Sequence, residues 1–192
     1  MKLDKFFVEA YAEKYKSITD KYELGYIQEF YNDLFTPRKD STKNVLEIGT
    51  FYGGSTFLWR DYFSNATIFA LDVHQCTNFL NEERIVHIVG DSYDEDFIKR
   101  LPKNFYDIVI DDGPHSYESM VVFLTKYFPL LKSGGVMVLE DIVNTEWTKN
   151  LIRFIDINLC NYYVVNMAGK QKNTELNQIW LSGLDVIIIQ KK

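Results

Sequence analysis

The chain has 192 residues, 46% of them apolar and 16% aromatic, enough to fill one core and too many for a disordered segment. Its 21 Lys and Arg against 27 Asp and Glu give a formal charge of −6, which speaks against a general nucleic-acid binder. No run approaches the ~20 apolar residues of a membrane span, the start Met1–Phe7 lacks a signal-peptide core, and Cys76 and Cys160 are too few for a disulfide framework. The expectation is a cytoplasmic protein of one domain, residues 1–192, with no membrane or nucleic-acid partner.

Residues 1–43 read as an amino-terminal helical segment in which Tyr22, Tyr26, Phe30 and Tyr31 fall near helical spacing, so one face should pack on the main body. Pro37 and the polar Asp40–Lys43 end it. From residue 44 onward short apolar runs alternate with amphipathic ones. Strands are expected at Asn44–Ile48, Thr67–Leu71, Arg84–Val89, Phe105–Ile110 and Gly135–Leu139, with helices around 54–63, 93–101, 115–131 and 145–159. Such order indicates an α/β fold with a parallel sheet covered on both faces. Two last runs, Asn161–Asn166 and Asp185–Gln190, have no helix between them and suit an antiparallel hairpin across a long polar connection containing Trp180. The sum is a Rossmann-like, seven-stranded, mostly parallel sheet closing on an antiparallel edge hairpin.

The first strand runs into glycines: Glu47-Ile48-Gly49-Thr50-Phe51-Tyr52-Gly53-Gly54-Ser55. Gly49 can make the sharp turn, and Gly53-Gly54 allow a ligand near the next helix start, where open α/β sheets bind ligands. The spacing matches neither the Gly-x-Gly-x-x-Gly dinucleotide fingerprint nor a phosphate loop. Asp72 ends the second strand, placed to accept both ribose hydroxyls, and Asp91-Ser92 ends the third, suited to an adenine amino group. Glu47, in an otherwise apolar strand, needs donors: the amino group of an amino-acid-bearing nucleoside, or nearby backbone amides.

The fourth strand ends Asp111-Asp112-Gly113-Pro114-His115 and the fifth Leu139-Glu140-Asp141. Adjacent parallel strand tips bring these acids together, where they repel unless protonated, solvated or bridged by a cation. Alternation sends Asp111 and Asp112 to opposite sides, one toward the cofactor and one toward the cluster. Glu140 and Asp141 can converge only if the strand stops and the chain turns. An oxygen-only set suits a hard divalent ion, Mg²⁺ first and Mn²⁺ as the alternative. His115 is expected at a helix start, where the dipole favours a neutral base.

Glu47-x-Gly49-x-x-x-Gly53 with Asp72 resembles the first two motifs of class I S-adenosylmethionine-dependent methyltransferases over roughly residues 44–190. Asp111-Asp112-Gly113-x-His115 and Leu139-Glu140-Asp141 resemble the metal-dependent macrolide-sugar and rhamnosyl O-methyltransferases and their cephalosporin-hydroxylase-type relatives. The resemblance implies Glu47, Gly49, Thr50, Gly53, Ser55, Asp72, Val73, Asp91, Ser92 and Asp111 against S-adenosylmethionine. It implies Asp112, Glu140 and Asp141 as metal ligands, His115 as general base, and a sugar or glycan hydroxyl as acceptor. Pro114 departs from the Ser usual there and alters the turn before His115. Tyr22, Tyr26 and Trp147 are candidates for the acceptor-site floor, with plain packing the competing role, and the aromatic amino terminus leaves a homo-oligomer open. A catechol-type O-methyltransferase is the rival enzyme, disfavoured by Glu140-Asp141 where that group has Asp-Asn; an inactive nucleoside-binding module is the non-enzymatic rival. A short-chain dehydrogenase fails for want of a Tyr followed four residues later by Lys.

Overall fold

The computed structural model describes residues 8–170 and 185–192. Apolar runs bounded by turns become β1 (Asn44–Ile48), β2 (Thr67–Asp72), β3 (Ile85–Val89), β4 (Tyr106–Asp111), β5 (Leu131–Ile142), β6 (Cys160–Asn166) and β7 (Asp185–Lys191). They form one sheet in the order β3-β2-β1-β4-β5-β7-β6. β1 to β5 pair parallel, while β7 is antiparallel to both β5 and β6. The expected sheet and its antiparallel edge pair are present; most of the connection between β6 and β7, with Trp180, lies outside the described residues, as do residues 1–7. β1 pairs with β2 on one side and β4 on the other, so the chain order reverses there and the loops diverge into a crevice.

The helices are α1 (Glu9–Tyr15), α2 (Asn32–Phe35), α3 (Gly54–Tyr62), α4 (Glu95–Ile98), α5 (Tyr117–Val122) and α6 (Thr145–Leu151). Three of the expected helices are shorter than their amphipathic patterns. Asp94, Ser116 and Asn144 cap α4, α5 and α6 by accepting the N–H of Phe97, Ser119 and Trp147. α5 then widens into a π-helical turn, Phe123–Tyr127, and tightens into a 3₁₀ turn at Phe128–Leu130, where Pro129 supplies no N–H. β5, conversely, starts four residues earlier than expected, because Leu131 pairs with Tyr106 across an irregularity in β4.

Alternation along the strands divides the core into two layers. Val45, Ile108, Ile110, Val136 and Val138 face a layer built from α3 and the amino-terminal segment, including Tyr26, Ile27, Phe30, Tyr31, Phe35 and Trp59. Leu46, Ile48, Val109, Met137 and Leu139 face Met120, Phe123, Tyr127 and Leu151. Trp59 anchors the first layer, 4.8 Å from the Tyr31 ring and edge-on to Phe35 at 5.2 Å. By the same alternation Glu47 and Glu140 fall on the amino-terminal side of the sheet and Asp111 on the other. The segment before β1 is therefore part of the fold that carries the acids.

Candidate active site

Between β1 and α3 the chain turns at Gly49, whose φ is +78° and whose added Cβ would fall on the Asp112 carbonyl oxygen. Only glycine combines that conformation with that approach. Asp72, at the tip of β2, organises the same loop. Its Oδ2 accepts the N–H of Thr50 at 2.9 Å and of Phe51 at 3.1 Å, and its Oδ1 accepts the His74 N–H at 2.9 Å. Burial pushes this carboxyl up, but the three amides outweigh it and hold it below its ordinary value. Asp72 is thus pinned by backbone amides, a role the sequence reading did not give it.

A cavity of about 1140 Å³ opens over these strand ends. Gly49, Thr50, Ser55, Asp72, Val73, Asp91, Ser92 and Asp112 line it, all but the last among the residues expected against the cofactor, and Tyr93 adds an aromatic wall. Lys16 to Asp20 and Glu23 close the amino-terminal side. Gly54 makes that closure: a Cβ there would strike the carbonyl oxygen of Ile18.

Glu47, Gly53 and Asp111 do not line the cavity. Glu47 is fully buried, accepting from the Thr56 hydroxyl at 2.6 Å and the Trp59 indole at 2.8 Å. Its donors are side chains of α3, which corrects the expectation of a ligand amine or backbone amides. Gly53, at φ +88°, packs under the Phe79 ring. Asp111 and Asp112 do take opposite sides. Asp111 is buried and accepts from the Tyr93 hydroxyl at 2.5 Å, with burial pushing its carboxyl up to about 7. Asp112 takes the side of the cavity and the acid cluster.

Glu140 and Asp141 converge by a different route from the one expected. β5 does not stop; its register against β7 shifts between Leu139 and Ile142, and Asp141 adopts φ +55°. That bulge lets both acids reach the amino-terminal layer. Tyr26 donates its hydroxyl to Asp141 Oδ1, and Tyr31 donates to Glu140 Oε1. Burial and the neighbouring carboxylates hold both phenols well above their ordinary values, so they remain donors. Lys21 completes the group: its ammonium, 1% exposed, donates to Asp112 Oδ2 at 2.7 Å and to Glu140 Oε2 at 2.5 Å. Burial pushes that ammonium down, but Asp112 and Glu140 outweigh it and keep it charged. Lys21 and Tyr31 were absent from the sequence-derived site and Tyr26 entered only as an acceptor-floor candidate. Tyr22 packs partly buried against the first layer, and Trp147 stands edge-on to Tyr117 at 5.5 Å.

His115 lies just before the Ser116 cap of α5, at φ +54°. Its Nε2 is 3.7 Å from Asp112 Oδ1 and 3.6 Å from Asp141 Oδ2. Left-handed conformations cost a non-glycine residue about 1–2 kcal/mol each, and two of them, His115 and Asp141, meet at this point. Donor atoms of Asp112, His115 and Asp141 all lie within 4.8 Å of one another. The two carboxylate oxygens that face this space, Asp112 Oδ1 and Asp141 Oδ2, are those not held by Lys21 or Tyr26. A hard, oxygen-led donor set of this kind fits Mg²⁺ or Mn²⁺. Glu140, expected as a third ligand, lies beside it with both oxygens engaged by Lys21 and Tyr31.

A family model described as a methyltransferase domain matches residues 46–142. The mycinamicin VI 2''-O-methyltransferase of Micromonospora griseorubida is 31% identical over 137 residues, 65% of this chain and 34% of that protein. The 8-demethyl-8-alpha-L-rhamnosyl tetracenomycin-C 2'-O-methyltransferase of Streptomyces olivaceus is 30% identical over 138 residues, covering 67% and 36%. Among solved structures, MycE methyltransferase from the mycinamycin biosynthetic pathway, in complex with Mg and SAH, superposes with a TM-score of 0.64 at 29% identity, over 77% of this chain and 39% of that one. The chain spans about a third of the length of the curated relatives it matches.

Proposed function

The chain belongs to the methyltransferase domain family, and from that premise we propose that it transfers a methyl group from S-adenosylmethionine to a hydroxyl of a sugar or glycosylated small molecule. The reaction depends on a divalent ion, Mg²⁺ or alternatively Mn²⁺. One observation carries this reading: Asp112 lines the cavity over the strand ends and also faces His115 at 3.7 Å, so a methyl donor held there and the base would share a wall. The names of the relatives, which act on macrolide and rhamnosyl hydroxyls, support the acceptor class, and the Mg and SAH of the MycE complex support the donor and ion. Cytoplasmic residence is part of the reading, in keeping with the free, buried Cys76 and Cys160. No helix among the described residues is long and apolar enough to cross a membrane.

The chain's own groups do the following work. The Asp72-braced loop and the tips of β2 and β3 hold the nucleoside, and the segment from Lys16 to Asp20 shields it from solvent. Asp112 and Asp141 would hold the ion, which when bound polarises the acceptor hydroxyl and lowers its pKa. His115 Nε2 takes the hydroxyl proton as the oxygen attacks the methyl carbon and the carbon–sulfur bond breaks, leaving a methyl ether, S-adenosylhomocysteine and a protonated imidazole. Holding donor and acceptor in line supplies roughly 7–11 kcal/mol of the acceleration.

The test is a panel of rhamnosides and other deoxysugar glycosides incubated with S-adenosylmethionine and Mg²⁺, read by mass spectrometry. Methylated product that disappears with chelator and returns with Mg²⁺ is the expected result. Calorimetric binding of S-adenosylhomocysteine with no methylation of any acceptor would instead make the protein a nucleoside-binding module.

A further inference from the structure

The acid cluster already contains a cation of its own. Lys21 is among the largest fully buried side chains, and its ammonium holds one oxygen each of Asp112 and Glu140 at 2.7 and 2.5 Å. Tyr31 holds the other Glu140 oxygen. An ion bridging Asp112 and Glu140 through the oxygens that Lys21 engages would need the ammonium's own place. The two cations also repel strongly at this depth. Lys21 is carried by the same segment whose residues 16–20 and 23 wall the cavity and whose Ile18 carbonyl seats on Gly54.

Resting on the divalent-ion reading above, we propose that Lys21 is a positioning residue that competes with the ion for the Asp112–Glu140 pair. Recruitment of Glu140 to an ion held by Asp112 and Asp141 displaces the ammonium and shifts the segment walling the donor cavity. In the ion-free protein Lys21 keeps the acids assembled and neutralises part of their charge; its displacement frees Glu140 as a further carboxylate for the ion. Affinity for the ion is thereby held low until the segment yields, which links ion binding to the shape of the donor cavity.

Mn²⁺ is the probe, with free ion followed by electron paramagnetic resonance. Lys21→Met should bind Mn²⁺ about tenfold or more tightly than the unaltered protein, as expected from removing a buried like charge beside the ion. Lys21→Gln, which keeps a donor to the carboxylates, should tighten binding similarly, and Lys21→Arg should restore the original affinity. Because Lys21→Met strands two buried acids and can fail to fold, a second measurement uses the unaltered protein. The solvent-protected Lys21 ammonium signal in a ¹H–¹⁵N spectrum should vanish on saturation with Mg²⁺. Equal or weaker Mn²⁺ binding in folded Lys21→Gln, or an ammonium signal that persists at saturating Mg²⁺, overturns the proposal while leaving the methyl-transfer reading intact. Failure of every form, including the unaltered protein, to bind Mn²⁺ overturns both.

Discussion

The hydroxyl of Tyr26 donates to the Asp141 carboxylate across 115 positions of sequence. The interaction makes the segment before β1 a structural support of the acid cluster at the tip of β5. Tyr26, Tyr31 and Lys21 hold Asp141, Glu140 and the Asp112–Glu140 pair respectively. None of the three is asked to touch a reacting atom; each fixes a carboxylate of the proposed ion site or one beside it.

Tyr26→Phe removes the donor while keeping the ring that packs on Phe30. Leaving the Asp141 acceptor without its partner should cost about 1–3 kcal/mol of stability in urea titrations. Loss of carboxylate orientation should lower the methylation rate about tenfold, equivalent to ~1.4 kcal/mol. Affinity for S-adenosylhomocysteine should stay as it was, since Tyr26 does not line the cavity. A rate equal to that of the unaltered enzyme would remove Tyr26 from the support of the site.

His115 occupies left-handed backbone, so its replacement must tolerate φ +54°. Asparagine does. His115→Asn should therefore fold normally and lose about 10²–10⁴-fold in turnover through loss of the base. Calorimetry should show donor affinity within about threefold of the original, a difference under ~1 kcal/mol. Undiminished turnover would assign the proton to another acceptor.

Asp72→Ala releases three backbone amides from one carboxylate. At about 1 kcal/mol per net hydrogen bond, loop disorder should weaken S-adenosylhomocysteine binding by about 2–3 kcal/mol, or roughly 30–150-fold. The Mn²⁺ affinity should be unaffected, because Asp72 belongs to the loop and not to the acid cluster.

Asp61 ties α1 to α3 by accepting from Lys14 at 2.7 Å and Tyr15 at 2.5 Å, with Arg60 beside it at 2.8 Å. Burial pushes its carboxyl up, but those donors outweigh burial and lower it to about 2. A depressed carboxyl stabilises the fold above the unfolded-state value near ~3.9, and the contribution is lost as pH falls through about 2. Asp61→Asn should be less stable at pH 7 by about 1 kcal/mol, the shift being discounted for solvent screening. The gap between variant and parent should shrink steadily below pH ~4. A gap independent of pH would mean the loss is one of packing.

The sheet was legible because its strands are apolar runs whose length and punctuation leave little choice. The strand-tip acids were legible because parallel strands must end at one rim. What escaped was the direction of individual carboxylates. Glu47 reads as a ligand contact in one dimension, but Thr56 and Trp59, one and two turns into α3, satisfy it inside the core. The convergence of Glu140 and Asp141 depends on a bulge with Asp141 at positive φ, and Asp carries no sequence mark for that. Lys21 lies 91 and 119 positions from its partners, beyond any local pattern; a lysine in an aromatic segment reads as a solvated charge. Pro129, by contrast, is a visible reason for the end of the helix expected over 115–131.

The sheet order has a consequence for how the protein is made. β7 lies between β5 and β6 although it follows both in the chain. During synthesis β6 therefore leaves the ribosome with no neighbour to pair with, and waits for residues 185–191 to emerge and slot in between. At ~5–20 residues per second that interval lasts on the order of seconds, during which the apolar margin of β5 is open to any passing strand.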